Sequence, residues 1–330
     1  MKKLTMAVTQ LLGVALTAVT AQAASLSYVG VNLSGAESGS PTSGVYGYGY
    51  IYPTPAEADY FTGIGLNFFR VPVAWQRLQP TQYGSLDTTQ LGYLDAFVAE
   101  AAKDKAGVIV DDHDYGIAFG NDIGTSGTPT SAFVDYWKQL AEHYKSIPNV
   151  VFGIENEPHD QSATDWAAVV QAVINAIRST GATQAILASG SDWDGGAQWI
   201  SSGDAAAMVG ITDPLNKTVF EIHEYLDTAA TGTDCSIVSP TIGPEDLAAV
   251  TNWAQSNGKK LWLGEIGVCS DNASLSAFTN TLNYINANTN VWQGLTYWAG
   301  GPWMGDYMYS ADPLSDGSTP PQLAALLATQ

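Results

Sequence analysis

The chain has 330 residues with 32 acidic against 12 basic side chains, a net charge of −20 and an isoelectric point near 4.2. So acidic a surface argues against nucleic acid and anionic membranes as partners, and it is compatible with a neutral polymer such as a polysaccharide. Two cysteines, Cys235 and Cys269, are the number expected for a single disulfide in an exported protein.

The N-terminus reads as a secretory signal peptide over residues 1–23. Lys2 and Lys3 form a positive start, residues 11–19 are apolar but too short to span a membrane, and Ala21-Gln22-Ala23 offers a small-x-small cleavage pattern. Without Lys2 and Lys3 the charge moves from −20 to −22. Residues 24–330 then form one domain, since no Ser/Pro/Thr-rich linker and no internal repeat divides them. No later stretch is long and apolar enough for a membrane helix, and a secreted, monomeric protein is expected.

Along the mature chain, strand and helix patterns alternate. Residues 27–33 are the first strand, followed by a Gly/Ser/Tyr-rich loop whose tyrosines at 46–52 either stack on a sugar or cover the barrel end. Pro55 opens a short helix with an acidic first turn. Residues 66–72 form the second strand, near whose end Arg70 must find a carboxylate or face solvent. Asp87 caps a helix with Leu91, Leu94, Phe97, Val98 and Ala101 on one stripe. The third strand, 107–110, runs into Asp111-Asp112-His113-Asp114-Tyr115. This acidic cluster lacks the spacing of a metal signature, and neither metal nor cofactor is expected. A helix from about Ser131 turns Phe133, Trp137, Leu140, Ala141 and Tyr144 inward, with His143 as a surface or packing residue.

The fourth strand, 150–154, is apolar on both faces and stops in Glu155-Asn156-Glu157-Pro158, where proline ends the ladder. A helix near Asp165 follows, then a fifth strand at 185–188 leading to Ser191-Asp192-Trp193. In the sixth, 219–225, the period of two places Glu221, His223 and Tyr225 on one face. A helix opened by Pro244 leads to the seventh strand, 261–265, another apolar run ending in a carboxylate, Glu265. After a last crossover helix, residues 292–298 form the eighth strand. Eight alternations with apolar strand faces favour a single α/β domain, a closed parallel (β/α)8 TIM barrel, over an open sheet. The polar residues cluster where strands lead into helices, the barrel face on which active sites are built.

Two glutamates at such strand ends are the parts of a retaining glycosidase, one protonating the leaving oxygen and one attacking the anomeric carbon. In this reading Arg70 and the Tyr225 hydroxyl keep Glu265 ionised, while burial and Glu265 itself raise the pKa of Glu157. Asn156 suits a hydrogen bond to the sugar 2-hydroxyl, and Trp298 and Trp193 offer platforms for sugar rings.

The segments Gly30-Val31-Asn32-Leu33, Asn67-Phe68-Phe69-Arg70-Val71-Pro72, Asn156-Glu157-Pro158-His159, His223-Glu224-Tyr225, Gly264-Glu265 and Tyr297-Trp298-Ala299-Gly300-Gly301-Pro302-Trp303 occur in order over nearly the whole mature chain. On these the chain resembles glycoside hydrolase family 5, and within it the secreted endo-β-1,4-glucanases. The resemblance implies Glu157 as acid/base and Glu265 as nucleophile. It implies Arg70, His113, Asn156, His223, Tyr225 and Trp298 in the catalytic subsite, and a cis peptide between Trp298 and Ala299. One departure is His113-Asp114-Tyr115, where members usually have His-Asn-Tyr. Cellulose or a related β-glucan is the expected substrate. A β-mannanase or mixed-linkage glucanase is the alternative on the same scaffold. A non-catalytic sugar-binding barrel is disfavoured, because it should have lost one of the two glutamates. In a parallel barrel the loops after strands six and seven are neighbours on one face, so Cys235 and Cys269 are expected to be bonded.

Overall fold

The computed structural model describes residues 25–330; the leader expected over residues 1–23 lies outside the described residues. Eight parallel strands close into a barrel: β1 (Tyr28–Leu33), β2 (Phe68–Val73), β3 (Gly107–Asp112), β4 (Val150–Gly153), β5 (Ile186–Ala188), β6 (Thr218–His223), β7 (Leu261–Glu265) and β8 (Trp292–Gly300). Each strand pairs with its sequence neighbours, and β1 closes on β8 through Val29–Leu295 and Val31–Tyr297. Helices return the chain between strands: α1 (Pro55–Gly63), α2 (Thr88–Lys103), α3 (Thr130–Tyr144), α4 (Ala163–Ser179), α5 (Asp204–Met208), α6 (Ile242–Asn257) and α7 (Asn272–Ala287), with α8 (Pro321–Leu327) after β8. The expected (β/α)8 architecture is the observed one.

Helix starts follow local chemistry. Asp87 caps α2 by accepting from the backbone N–H groups of Thr89 and Gln90 at 2.8 and 3.0 Å. Thr54 and Glu57 form a capping box ahead of α1, with Pro55 at its first position. α6 begins two residues before Pro244, which is tolerated because the first-turn N–H groups have no intrahelical partner. The sixth strand ends at His223, two residues short of the expected Tyr225.

Strand alternation divides the interior into two cores. Phe69, Val71, Val108, Val110, Phe220, Ile222 and Leu263 face outward and join the helices in one apolar layer. Phe68, Ile109, Leu187 and Trp262 face inward and fill the lower lumen. One pleat higher, the inward positions turn polar, with Arg70, Asp111 and Glu221 all buried. The apolar layer thus forms a floor under a charged one. In the tyrosine loop Tyr50 and Tyr52 are buried, Tyr46 stacks on Tyr93 of α2 at 4.4 Å, and Tyr48 stays in solvent.

Candidate active site

Arg70 is the hub of the charged layer. Its guanidinium is fully buried and reaches Glu221 at 2.8 Å, Glu265 at 2.9 Å and Asp111 at 3.0 Å, besides the side-chain oxygens of Asn156 at 2.8 Å and Asn32 at 3.0 Å. A buried cation needs compensating partners, and this one has three carboxylates. Room for Glu221 comes from Gly264, where an added Cβ would lie 2.1 Å from a Glu221 oxygen.

Glu265, at the end of β7, is held on both oxygens. Oε1 accepts from Arg70 and Oε2 from the Tyr225 hydroxyl at 2.6 Å. Glu157 follows β4 with its backbone at φ 49°, and its N–H donates to Asp194 at 2.9 Å. That left-handed turn before Pro158 directs the side chain across the barrel mouth, where Oε1 lies 2.7 Å from His223 Nδ1. The same nitrogen is 3.8 Å from Glu265 Oε2. Carboxylate oxygens of Glu157 and Glu265 come within 4.8 Å of each other, with His223 between them. These groups already bond one another, Arg70 and Tyr225, the pattern of a proton-sharing cluster rather than of a metal cage.

The electrostatics depart from the sequence expectation. Burial alone would raise Glu157, but the hydrogen bond and charge of His223 outweigh it and hold the carboxyl below its ordinary range. Glu265 is pushed up by burial, only partly offset by His223 and Arg70, with the Glu157 charge adding to the rise. The expected order of the two carboxyls is therefore reversed. The reason is that His223, a cation partner the sequence did not pair with Glu157, sits closer to Glu157 than to Glu265. Burial would lower the His223 imidazole, yet Glu265, Glu157 and Glu221 together raise it well above its usual value. Protons on these three groups titrate as one coupled set.

The remaining residues singled out in the sequence also meet here. His113 Nδ1 lies 2.9 Å from Asp111, and its ring stacks on Trp298 at 5.7 Å. Burial and Arg70 pull its pKa down to about 4, so it is neutral near pH 7. Trp298 is half-buried, and its bond to Ala299 is cis. The Nδ2 group of Asn156 is buried with no partner among the described residues. Trp193 stands half-exposed beside the mouth, stacked on His159 at 3.9 Å. Cys235 and Cys269 are bonded, with Cα atoms 5.6 Å apart. Sequence reasoning assigned no role to four members of the network, among them Asp111 and Asn32, which bond Arg70. Glu221 was on the correct strand face but had no assigned role, and Asp194, which orients Glu157, carried no local signal.

A family model described as cellulase (glycosyl hydrolase family 5) matches residues 27–301. The chain belongs to glycosyl hydrolase family 5. Among family 5 relatives, an endo-β-1,4-glucanase B of Aspergillus niger is 38% identical over 303 residues, covering 92% of this chain and 89% of that protein. The crystal structure of an endo-β-1,4-glucanase from Xanthomonas axonopodis pv. citri superposes with a TM-score of 0.89 at 41% identity, over 92% of this chain and 98% of the other. An endoglucanase of Pseudomonas stutzeri in complex with cellobiose gives 0.85 at 32% identity, over 92% of each chain. This family 5 chain is accordingly a glycoside hydrolase.

Proposed function

We propose that the chain is a retaining endo-β-1,4-glucanase, cleaving internal β-1,4-glucosidic bonds of cellulose and related β-glucans. The observation that carries this is the close approach of Glu157 and Glu265, within 4.8 Å between carboxylate oxygens. Retaining glycosidases hold their carboxyl groups about 5–5.5 Å apart, whereas inverting enzymes leave about 6.5–9.5 Å for a water molecule. The names of the related glucanases support the choice of substrate.

In the first step Glu265 attacks the anomeric carbon, and the leaving oxygen takes a proton from Glu157. Arg70 and Tyr225 fix both Glu265 oxygens, which orients the nucleophile. The His223 imidazole, held well above its usual pKa and with Nδ1 2.7 Å from Glu157, is the proton source for the acid. Transfer of that proton to Glu157 readies the general acid, while the Arg70 charge and the Tyr225 hydroxyl remain to hold Glu265 ionised. In the second step Glu157 takes a proton from water, which displaces Glu265 and restores the β configuration. The unpartnered Asn156 amide suits a sugar 2-hydroxyl, and Trp298 and Trp193 suit ring faces on either side.

The same reading includes a cleaved leader over residues 1–23, export, one catalytic domain over 24–330 and action as a monomer. No helix of the described residues is long and apolar enough to cross a membrane. Reducing-sugar release from carboxymethylcellulose, barley glucan and mannan, measured side by side, tests the substrate. Proton NMR of early product tests the stereochemistry. Fastest release from carboxymethylcellulose with a β product is expected; faster release from mannan, or an α product, overturns the corresponding part. Glu265→Ala should abolish turnover, while Glu157→Ala should keep activity on aryl glycosides whose leaving groups need no proton.

A further inference from the structure

Tyr225 supplies one of the two contacts that fix Glu265, yet it lies beyond the end of β6 at His223, where no strand ladder holds it. The residues that follow it, 228–236, are largely exposed. Packing of its ring must therefore set the phenol hydroxyl 2.6 Å from the carboxylate.

Two neighbours define the place of that ring. The nearer is backbone. Gly232 turns back on Tyr225 with φ 68°, and an added Cβ would lie 2.6 Å from the ring Cε1, 2.7 Å from Cδ1 and 3.0 Å from Cζ. Glycine alone allows so close an approach at a φ that side chains disfavour. The other neighbour is Tyr309, in the segment after β8, whose ring centre is 6.5 Å away and whose plane is tilted by 21°. Tyr309 is buried against Gly267, where an added Cβ would meet its Cδ2 at 2.6 Å, and its hydroxyl donates to the Asp234 carbonyl.

One side chain ties the loop down at Gly232. Asp227 is buried, and its Oδ1 accepts from the Gly232 N–H at 2.8 Å. Its Oδ2 accepts from the N–H and the hydroxyl of Thr231, each at 3.2 Å. A backbone bridge to Ile237 anchors Asp227 in turn. An aspartate that closes its own loop is common and of no further consequence by itself. Here the residue it holds is the one that presses on Tyr225.

We infer that Asp227 and Gly232 are positioning residues for the nucleophile. The Asp227 carboxylate keeps the Gly232 backbone against the Tyr225 ring, and that contact sets the hydroxyl on Glu265 Oε2. Both act through Tyr225, and the inference rests on the reading of Glu265 as the nucleophile.

The test is a set of double-variant cycles on a cello-oligosaccharide, measuring kcat, KM and the pH profile of kcat/KM. Gly232→Ala drives a methyl group into the ring; kcat should fall roughly tenfold with KM within about twofold, since displacements near 1 Å cost up to about 100-fold. Asp227→Ala adds no atom and reports the same contact if Gly232→Ala fails to fold. It should lower kcat by about three- to tenfold, and Asp227→Asn, which keeps an acceptor for the Gly232 N–H, should recover most of the rate. In Gly232→Ala and Asp227→Ala the acid limb of kcat/KM should move to higher pH, because a carboxylate that loses a donor is protonated more readily. In a Tyr225→Phe background neither change should lower kcat by more than about twofold or move that limb, since no hydroxyl is left to misplace. Equal losses in the two backgrounds overturn the inference, as does a folded Gly232→Ala with the rate and acid limb of the parent. Turnover by Glu265→Ala would instead overturn the nucleophile on which the inference rests.

Discussion

Replacing Cys235 by serine and Cys269 by alanine severs the covalent tie between the loop after β6 and the loop after β7. Alanine is chosen at 269 because that position is buried, and a serine hydroxyl there would need a new partner. The two residues are 34 apart in sequence. In the chain-entropy model, freeing a loop of that length stabilises the unfolded state by about 3.8 kcal/mol at 25 °C. A domain of roughly 300 residues unfolds with an entropy of about 0.64 kcal/mol/K, so Tm should fall by about 6 °C. Differential scanning calorimetry at pH 7 measures it, with the unaltered protein in reductant as a second route to the same state. Hydrolysis at 25 °C should stay within about twofold, because Glu265 is fixed by Arg70 and Tyr225 rather than by the disulfide. A fall in Tm below about 2 °C in both the variant and the reduced protein would refute the loop-entropy argument.

Tyr225→Phe removes the 2.6 Å hydrogen bond to Glu265; a charge-assisted bond of this kind is worth about 1.5–3 kcal/mol, so kcat on a cello-oligosaccharide should drop roughly 10- to 100-fold and Tm should fall by about 2–5 °C. The His113 pKa, near 4 in the folded protein against 6.5 for the free side chain, lends stability that is complete above pH 6.5 and lost as pH falls toward 4. Urea titrations across that window should lose roughly 3 kcal/mol more in the parent than in His113→Gln. Asp114 has the opposite sign: burial raises its carboxyl to about 7 although it accepts from the Trp75 N–H at 2.8 Å, so stability is lost as pH rises from about 4 through 7. Asp114→Asn keeps an acceptor for Trp75 and does not titrate; its Tm should exceed the parent's by about 2 °C or more at pH 7.5 and match it at pH 4.

The backbone plan was legible because its determinants are local. Asp87 caps its helix through bonds to residues two and three positions on, and Pro158 closes β4 by its own covalent geometry. The period-two pattern of β6 put Glu221 and His223 on one face, and both do turn toward Arg70 and Glu157. Eight repetitions of strand and helix then leave barrel closure as the way to bury every strand on two faces. Glu157 and Glu265 could be chosen from sequence for the same reason: each ends an apolar strand at the face where a barrel builds its site.

Only the tertiary structure decided how those groups are charged. Arg70 meets Glu265 across 195 residues of chain and His223 meets Glu157 across 66. Which carboxyl is pushed up and which is held down depends on a difference of about one ångström around one imidazole nitrogen. Such differences arise from closure of the whole barrel, and Coulomb energies and desolvation respond to them steeply inside a buried site. The floor of apolar side chains under the charged layer is likewise a product of closure. No window of sequence contains it, because its members become neighbours only when β1 meets β8.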